Sequence, residues 1–138
     1  MAIKQISVFL ENTTGRLGEV TGVLAKARIN IRAISIADTA EFGILRLIVN
    51  DYEAALRALN AKGFTTKVSD VVVVEIDDTP GGLAGVMEIF QNEKVNIEYL
   101  YASLEGESGK AVVIFKLENH ERGLQIIKEH RLTLVEAF

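Results

Sequence analysis

The chain has 138 residues, of which 49% are hydrophobic and 25% charged, a balance that suits a folded protein and excludes a disordered one. The net charge is −4, the pI is about 5.2, and the 15 Lys and Arg residues are scattered rather than clustered. That argues against nucleic acid and against an anionic membrane as partners, while the absence of cysteine excludes disulfides, thiol nucleophiles and thiolate metal sites.

"MAIKQISVFLEN" opens the chain without the features of a signal peptide. No window reaches the roughly 18 apolar residues of a membrane span, and the expected location is cytoplasmic. "IKQISVFL" (3–10) is β-like. From Gly15 the apolar residues Leu17, Val20, Leu24 and Ala27 recur at helical spacing. "INIRAISIAD" (29–38) and "FGILRLIVN" (42–50) are rich in β-formers, with a turn near Thr39–Glu41. "DYEAALRALNAKG" (51–63) reads as a helix with Asp51 as N-cap and Gly63 as its stop. "FTTKV" (64–68) reads as a short strand, and Ser69-Asp70 as a bend into the next strand.

The same order then repeats: strand 70–77, helix 82–93, strands 95–105 and 110–117, helix 119–130 and strand 132–136. Gly15 and Gly81 stand 66 positions apart, and at that shift Thr13 meets Thr79, Leu17 meets Leu83, Asn30 meets Asn96 and Ile31 meets Ile97. Two extra residues then enter, and Asp51 aligns with Asn119. The chain is one unit of about 65–70 residues written twice, with expected domains at 1–69 and 70–138. The order βαββαβ, with right-handed crossovers, gives an α+β ferredoxin-like unit: an antiparallel sheet with two helices on one face.

Strict alternation places Ile31, Ala33, Leu45 and Leu47 toward the helices and Ile34, Ile36, Ile44 and Ile48 away from them. Both faces are then apolar, and the second is expected to be covered by the other repeat or by another chain. The protein is therefore expected to form a homodimer.

This fold hosts many functions, so function must come from sites. An RNA-binding unit needs aromatic residues on its central strands. "GILRLIVN" has none, and in "GKAVVIFK" Phe115 faces the helices by parity. His120 and His130 read as solvated residues of the last helix, and no catalytic constellation emerges. "GGLAG" (81–85) lacks the Lys-Ser/Thr of a P-loop. No catalysis, cofactor or metal is expected.

The repeated turns, "ENTTGRL" (11–17) and "DDTPGGL" (77–83), each lead from a strand into a helix. The first N–H groups of a helix lack intrahelical partners and attract anions. Gly15 and Gly81 allow close approach or positive φ, and Asn12 or Asp78 offers oxygens to an ammonium group. The arrangement suits a zwitterion. Ordinary turn and capping chemistry uses the same residues, and the turns alone leave both readings open. Asn30 and Asn96 are open to the same two readings.

At these residues the chain resembles the ACT domain family, the small regulatory modules of amino-acid metabolism, and most of all its stand-alone tandem members. The carrying stretches are "ENTTGRLGEVTGVLAKARINI", "DDTPGGLAGVMEIFQNEKVNI" and "GILRLIVND" with Arg46. The resemblance implies a non-catalytic regulatory protein that binds an amino acid where ACT units meet and acts on a partner enzyme or protein. Carried over by position, the site residues are Asn12, Thr13, Thr14, Gly15, Arg16, Leu17, Asn30 and Ile31. In the second copy they are Asp78, Thr79, Pro80, Gly81, Gly82, Leu83, Asn96 and Ile97. Serine-binding members carry a His where this chain has Leu10 and Ile76, so serine is not implied. Asn12 and Arg16 make the first turn the better candidate for a polar ligand. The alternative is a dimerisation module with no ligand.

Overall fold

The structure, a computed structural model, describes residues 3–38, 41–104 and 108–137. Its backbone divides into two compact units, Lys4–Ser69 and Asp70–Ala137. In the first, strand β1 (Ile3–Glu11) leads to helix α1 (Arg16–Lys26). Strands β2 (Ile31–Asp38) and β3 (Phe42–Val49), helix α2 (Tyr52–Ala61) and the opening of strand β4 (Thr65–Asp77) complete it. In the second, the rest of β4 leads through helix α3 (Gly82–Asn92), strands β5 (Ile97–Ala102) and β6 (Lys110–Leu117), helix α4 (His120–Glu129) and strand β7 (Thr133–Leu134). The turn expected near Thr39–Glu41 lies mostly outside the described residues.

β1 with β3, β2 with β3, β4 with β6, β5 with β6 and β4 with β7 all pair antiparallel. β3 lies between β1 and β2, with Val8 opposite Leu45 and Ile34 opposite Leu47. β6 lies between β4 and β5, and β7 pairs with the other side of β4. Each unit packs one face of its strands against its two helices. Ile6, Val8, Leu45 and Leu47 meet Val20 and Leu24 of α1 and Ala55 and Leu59 of α2. Val72, Val74, Val113 and Phe115 meet Val86, Phe90, Ile126 and Ile127. Phe115 does face the helices, its ring meeting Phe90 edge-on at 5.4 Å and 60°. The four helix residues at i and i+4, Val20 with Leu24 and Ala55 with Leu59, are fully buried, and truncating Leu24 to Ala would cost about 2–5 kcal/mol.

Two expectations need correction. Ser69-Asp70 makes no bend, because β4 runs as one strand of 13 residues from Thr65 to Asp77. Neither residue removes a ladder hydrogen bond as proline would, and Val68 and Val71 flank them with β-branched side chains.

The assigned faces of β2 are also changed. Ile31 pairs with Val49 but Ala33 pairs with Ile48, so Ile31-Arg32-Ala33 carries one residue more than its partner strand. This bulge resets the alternation. Ile34, not Ala33, joins Ile31 against the helix-side core, and Ile36 stands opposite Leu45. Ala33 lies opposite Ile48, and both are buried outside that core. β5 has the same irregularity between Ile97 and Tyr99, after which Leu100 pairs with Phe115. The faces turned away from the helices hold further buried residues: Gln5, Ser7 and Ile48 in the first unit, Val71, Val73 and Ile114 in the second.

Candidate ligand site at the strand-to-helix turns

The two turns have nearly one geometry. The N-cap of α1 is Gly15, at φ 88° and ψ −11°, and that of α3 is Gly81, at φ 88° and ψ −7°. This is left-handed space, which residues with a Cβ enter at a cost. Backbone bonds fix each turn. Asn12 N–H donates to Glu41 O at 2.8 Å, as Asp78 N–H does to Gly109 O at 3.0 Å. Arg16 N–H reaches Thr13 O at 3.4 Å, and Gly82 N–H reaches Thr79 O at 3.0 Å.

Neither N-cap supplies a side-chain hydrogen bond. The other two helices differ. Asp51 Oδ1 accepts from Ala54 N–H at 3.1 Å, and Asn119 Oδ1 accepts from Arg122 N–H at 3.0 Å. α2 and α4 are thus closed by their own side chains, whereas α1 and α3 start at glycine. Asn12, Thr13, Thr14, Gly15 and Leu17 are exposed, as are Asp78, Thr79, Pro80, Gly81 and Leu83, while Arg16 and Gly82 are half-buried.

The two asparagine–isoleucine pairs sit elsewhere in their units. α1 has 11 residues and is therefore about 16 Å long. It separates the turn at Asn12–Gly15 from Asn30, which follows the far end of the helix. Within one unit the two groups do not converge. Asn30 is clamped through its backbone: its N–H donates to Asn50 Oδ1 at 3.0 Å, and its carbonyl accepts from Asn50 N–H at 3.2 Å. Asn96 O accepts from Glu118 N–H at 3.0 Å. Ile31 and Ile97 pack against the two cores.

Arg16 is held within its own unit. Its guanidinium lies over the Phe64 ring at 4.7 Å and pairs with Glu19 at 2.5 Å. A small cavity of about 250 Å³ opens there, lined by Phe9, Glu11, Arg16, Gly63 and Phe64 among others.

One polar cluster in the second unit was not expected. Glu93 accepts from Arg122 at 2.7 Å and lies 3.0 Å from His130 Nε2. The His130 contact and the Arg122 charge hold the Glu93 carboxyl below its usual value of 4.5, against a smaller opposing effect of partial burial. His130 stands 37 positions from Glu93, and no local pattern joins them. His120 is not a solvated helix residue. Both its ring nitrogens are shielded from solvent without a partner among the described residues, beside a cavity of about 720 Å³ lined also by Asn96, Asn119 and Arg122. Among the described residues no cluster of His, Cys, Asp or Glu could hold a metal ion, and no helix is long and apolar enough to cross a membrane.

A family profile described as an ACT domain pair matches residues 1–137. The acetolactate synthase small subunit of Bacillus subtilis (strain 168) is 25% identical over 134 aligned positions, covering 81% of this chain and 78% of that one. Among solved structures, protein BT0572 from Bacteroides thetaiotaomicron is 41% identical, with a TM-score of 0.92 over 98% of this chain and 92% of that chain. The ligand-free regulatory subunit of aspartate kinase from Thermus thermophilus shares the fold, with a TM-score of 0.69 at 20% identity over 94% and 93% of the two chains. The repeated βαββαβ unit, with its antiparallel pairing and its helices, agrees with the family match over essentially the whole length. The chain belongs to the ACT domain family, as two ACT domains in tandem.

Proposed function

We propose that the protein is a non-catalytic regulatory subunit that senses an amino acid. In this reading the ligand carboxylate meets the N–H groups that open α1 or α3, and its ammonium meets Asn12 or Asp78. The observation that carries it is the contrast between helix starts. Asp51 and Asn119 cap α2 and α4, while Gly15 and Gly81 leave α1 and α3 without a side-chain cap. Side-chain capping therefore does not account for the repeated turn.

Since Asn12 and Asn30 lie at opposite ends of α1, a ligand touching both would lie between ACT units. A homodimer or the second repeat would bring such units together, and Phe9, Ile36 and Phe42, all exposed, offer apolar surface for self-association. The regulated partner is an enzyme, by analogy with relatives named as a small or regulatory subunit, and the protein works in the cytoplasm.

A thermal-shift screen of the twenty amino acids tests the reading. A ligand at ~100 times its dissociation constant adds about 2.7 kcal/mol of stability, and Asn12→Ala and Asn30→Ala should remove that response. No shift with any amino acid at millimolar concentration refutes it. The alternative reading, an assembly module without ligand, predicts self-association alone, and a strict monomer in sedimentation at low concentration rules that out.

A further inference from the structure

The two copies end their helices differently. In the first unit α1 closes on Ala27 and α2 on Lys62. The same positions of the second unit hold Glu93, which closes α3, and His130, which closes α4. A fixed cation is replaced by a titratable one, and an alanine by a carboxylate within its reach. A third difference completes the group. Ala54, whose N–H meets the cap of α2, gives way to Arg122, whose N–H meets the cap of α4.

Glu93 uses both of its oxygens. Oε2 accepts from Arg122 Nη2 at 2.7 Å, and Oε1 lies 3.0 Å from His130 Nε2. One carboxylate at the end of α3 therefore ties both ends of α4, Arg122 near its start and His130 at its close. The Glu93 carboxyl is held below its usual value chiefly by the His130 contact. An ionised carboxylate only accepts, so His130 Nε2 carries the hydrogen of that contact.

The two ties respond differently to pH. A guanidinium keeps its charge, whereas histidine changes charge between about pH 5 and 8. When His130 Nδ1 takes a proton, the contact with Glu93 becomes an ion pair, and the imidazolium also meets the negative end of α4. The other charged groups nearby keep their charge in that range. They are Lys94 beside Glu93, Glu129 at 3.7 Å from Arg122, and Arg131 beside His130. The adjoining cavity, whose wall includes Glu93 and Arg122, adds Glu118 and Glu121. His120 lines that cavity too, but neither of its ring nitrogens has a partner among the described residues, so it takes no part in the ties.

We propose that Glu93, Arg122 and His130 form a proton-operated clasp, which fixes the C-terminal end of α4 to α3 when His130 is charged and frees it when His130 is neutral. Arg122 keeps the start of α4 tied in both states. The contribution of His130 is full in weak acid and is lost as the pH rises through the histidine range. The first unit, with Lys62 and Ala27 at these places, has no such response. The clasp operates whether or not the glycine turns bind a ligand.

The test is hydrogen exchange by NMR on the ¹⁵N-labelled full chain between about pH 5.5 and 8, corrected for the intrinsic pH dependence of exchange. The reporters at the close of α4 are the amides of His130 and Leu132, which donate to Ile126 O and Ile127 O. The reporter at its start is the Gly123 amide, which donates to Asn119 O. Protection at His130 and Leu132 should fall about three- to tenfold as the pH rises, the scale of an exposed ion pair joined to a helix-end charge, while Gly123 stays constant. His130→Lys should hold the acid level of protection at every pH, and Glu93→Ala and His130→Gln the alkaline level. The first unit carries Lys and Ala at these places, so neither of those two variants puts folding at risk. Protection that does not change with pH in the parent overturns the proposal, as does a response that survives in His130→Gln or Glu93→Ala. An equal loss at Gly123 overturns it too, because the response then belongs to the whole unit.

Discussion

Gly15→Ala isolates the torsional requirement of the turn. The added Cβ meets nothing within 4 Å, yet the residue sits at φ +88°. The whole cost is therefore left-handed strain, about 1–2 kcal/mol. The same helix supplies its own control. Gly18 and Gly22 lie inside α1, also have open space at Cβ and have no positive φ. Alanine at either should stabilise by about 0.5–1 kcal/mol through helix propensity. Urea unfolding of the three variants should thus show midpoints on opposite sides of the parent. With a slope near ~2 kcal/mol/M, Gly15→Ala moves the midpoint down by about 0.5–1 M. Gly81→Ala should match it, since its φ is the same and its Cβ space is equally open. A Gly15→Ala midpoint at or above the parent's would refute the claim that the turn demands glycine.

Gly82→Ala should destabilise by about 1–3 kcal/mol in the same assay, because its Cβ would strike the backbone oxygen of Asp77; a change within about 0.5 kcal/mol would show that the helix start simply shifts. Asp51→Ala and Asn119→Ala should each cost about 1 kcal/mol in urea unfolding as their cap bonds are lost; unchanged midpoints would mean those caps carry no stability. The Glu93 carboxyl is held below 4.5 by His130 and Arg122, so its contribution is present above that pH and is lost as pH falls through the depressed value. Urea midpoints followed from neutral to acid pH should therefore fall less steeply in Glu93→Gln than in the parent. Parallel curves would remove Glu93 from the acid response.

Much of the fold was legible because the period changes cleanly along the chain. The strand at 110–117 was read with the bounds the structure gives, and Asp51 was read as the N-cap it is. The β-bulges were not read, since strict alternation assumes one residue per pleat. A signal was present: Ile31, Ile34 and Ile36 are spaced by three and then two, as are Ile97, Leu100 and Ala102. A jump of three inside a strand is what one extra residue leaves behind. The glycines of the turns were legible because their left-handed backbone restricts the residue type. The Glu93 cluster was not, because its members meet only through tertiary packing. Asn12 and Asn30 are separated within a unit by the length of α1, so they meet only in the reading that places the ligand between units.

The bulges also order events in the history of the chain. One extra residue occupies the same register in β2 and in β5, opposite the ends of β3 and β6. A feature common to both copies belongs to the single unit from which they came, so the bulge predates the duplication. The exchange of Arg16 and Gly63 for Gly82 and Arg131 distinguishes the copies, so the difference arose after they had parted. The ancestor had the scaffold before its descendants diverged at the helix starts, where one copy has Arg16 and the other Gly82.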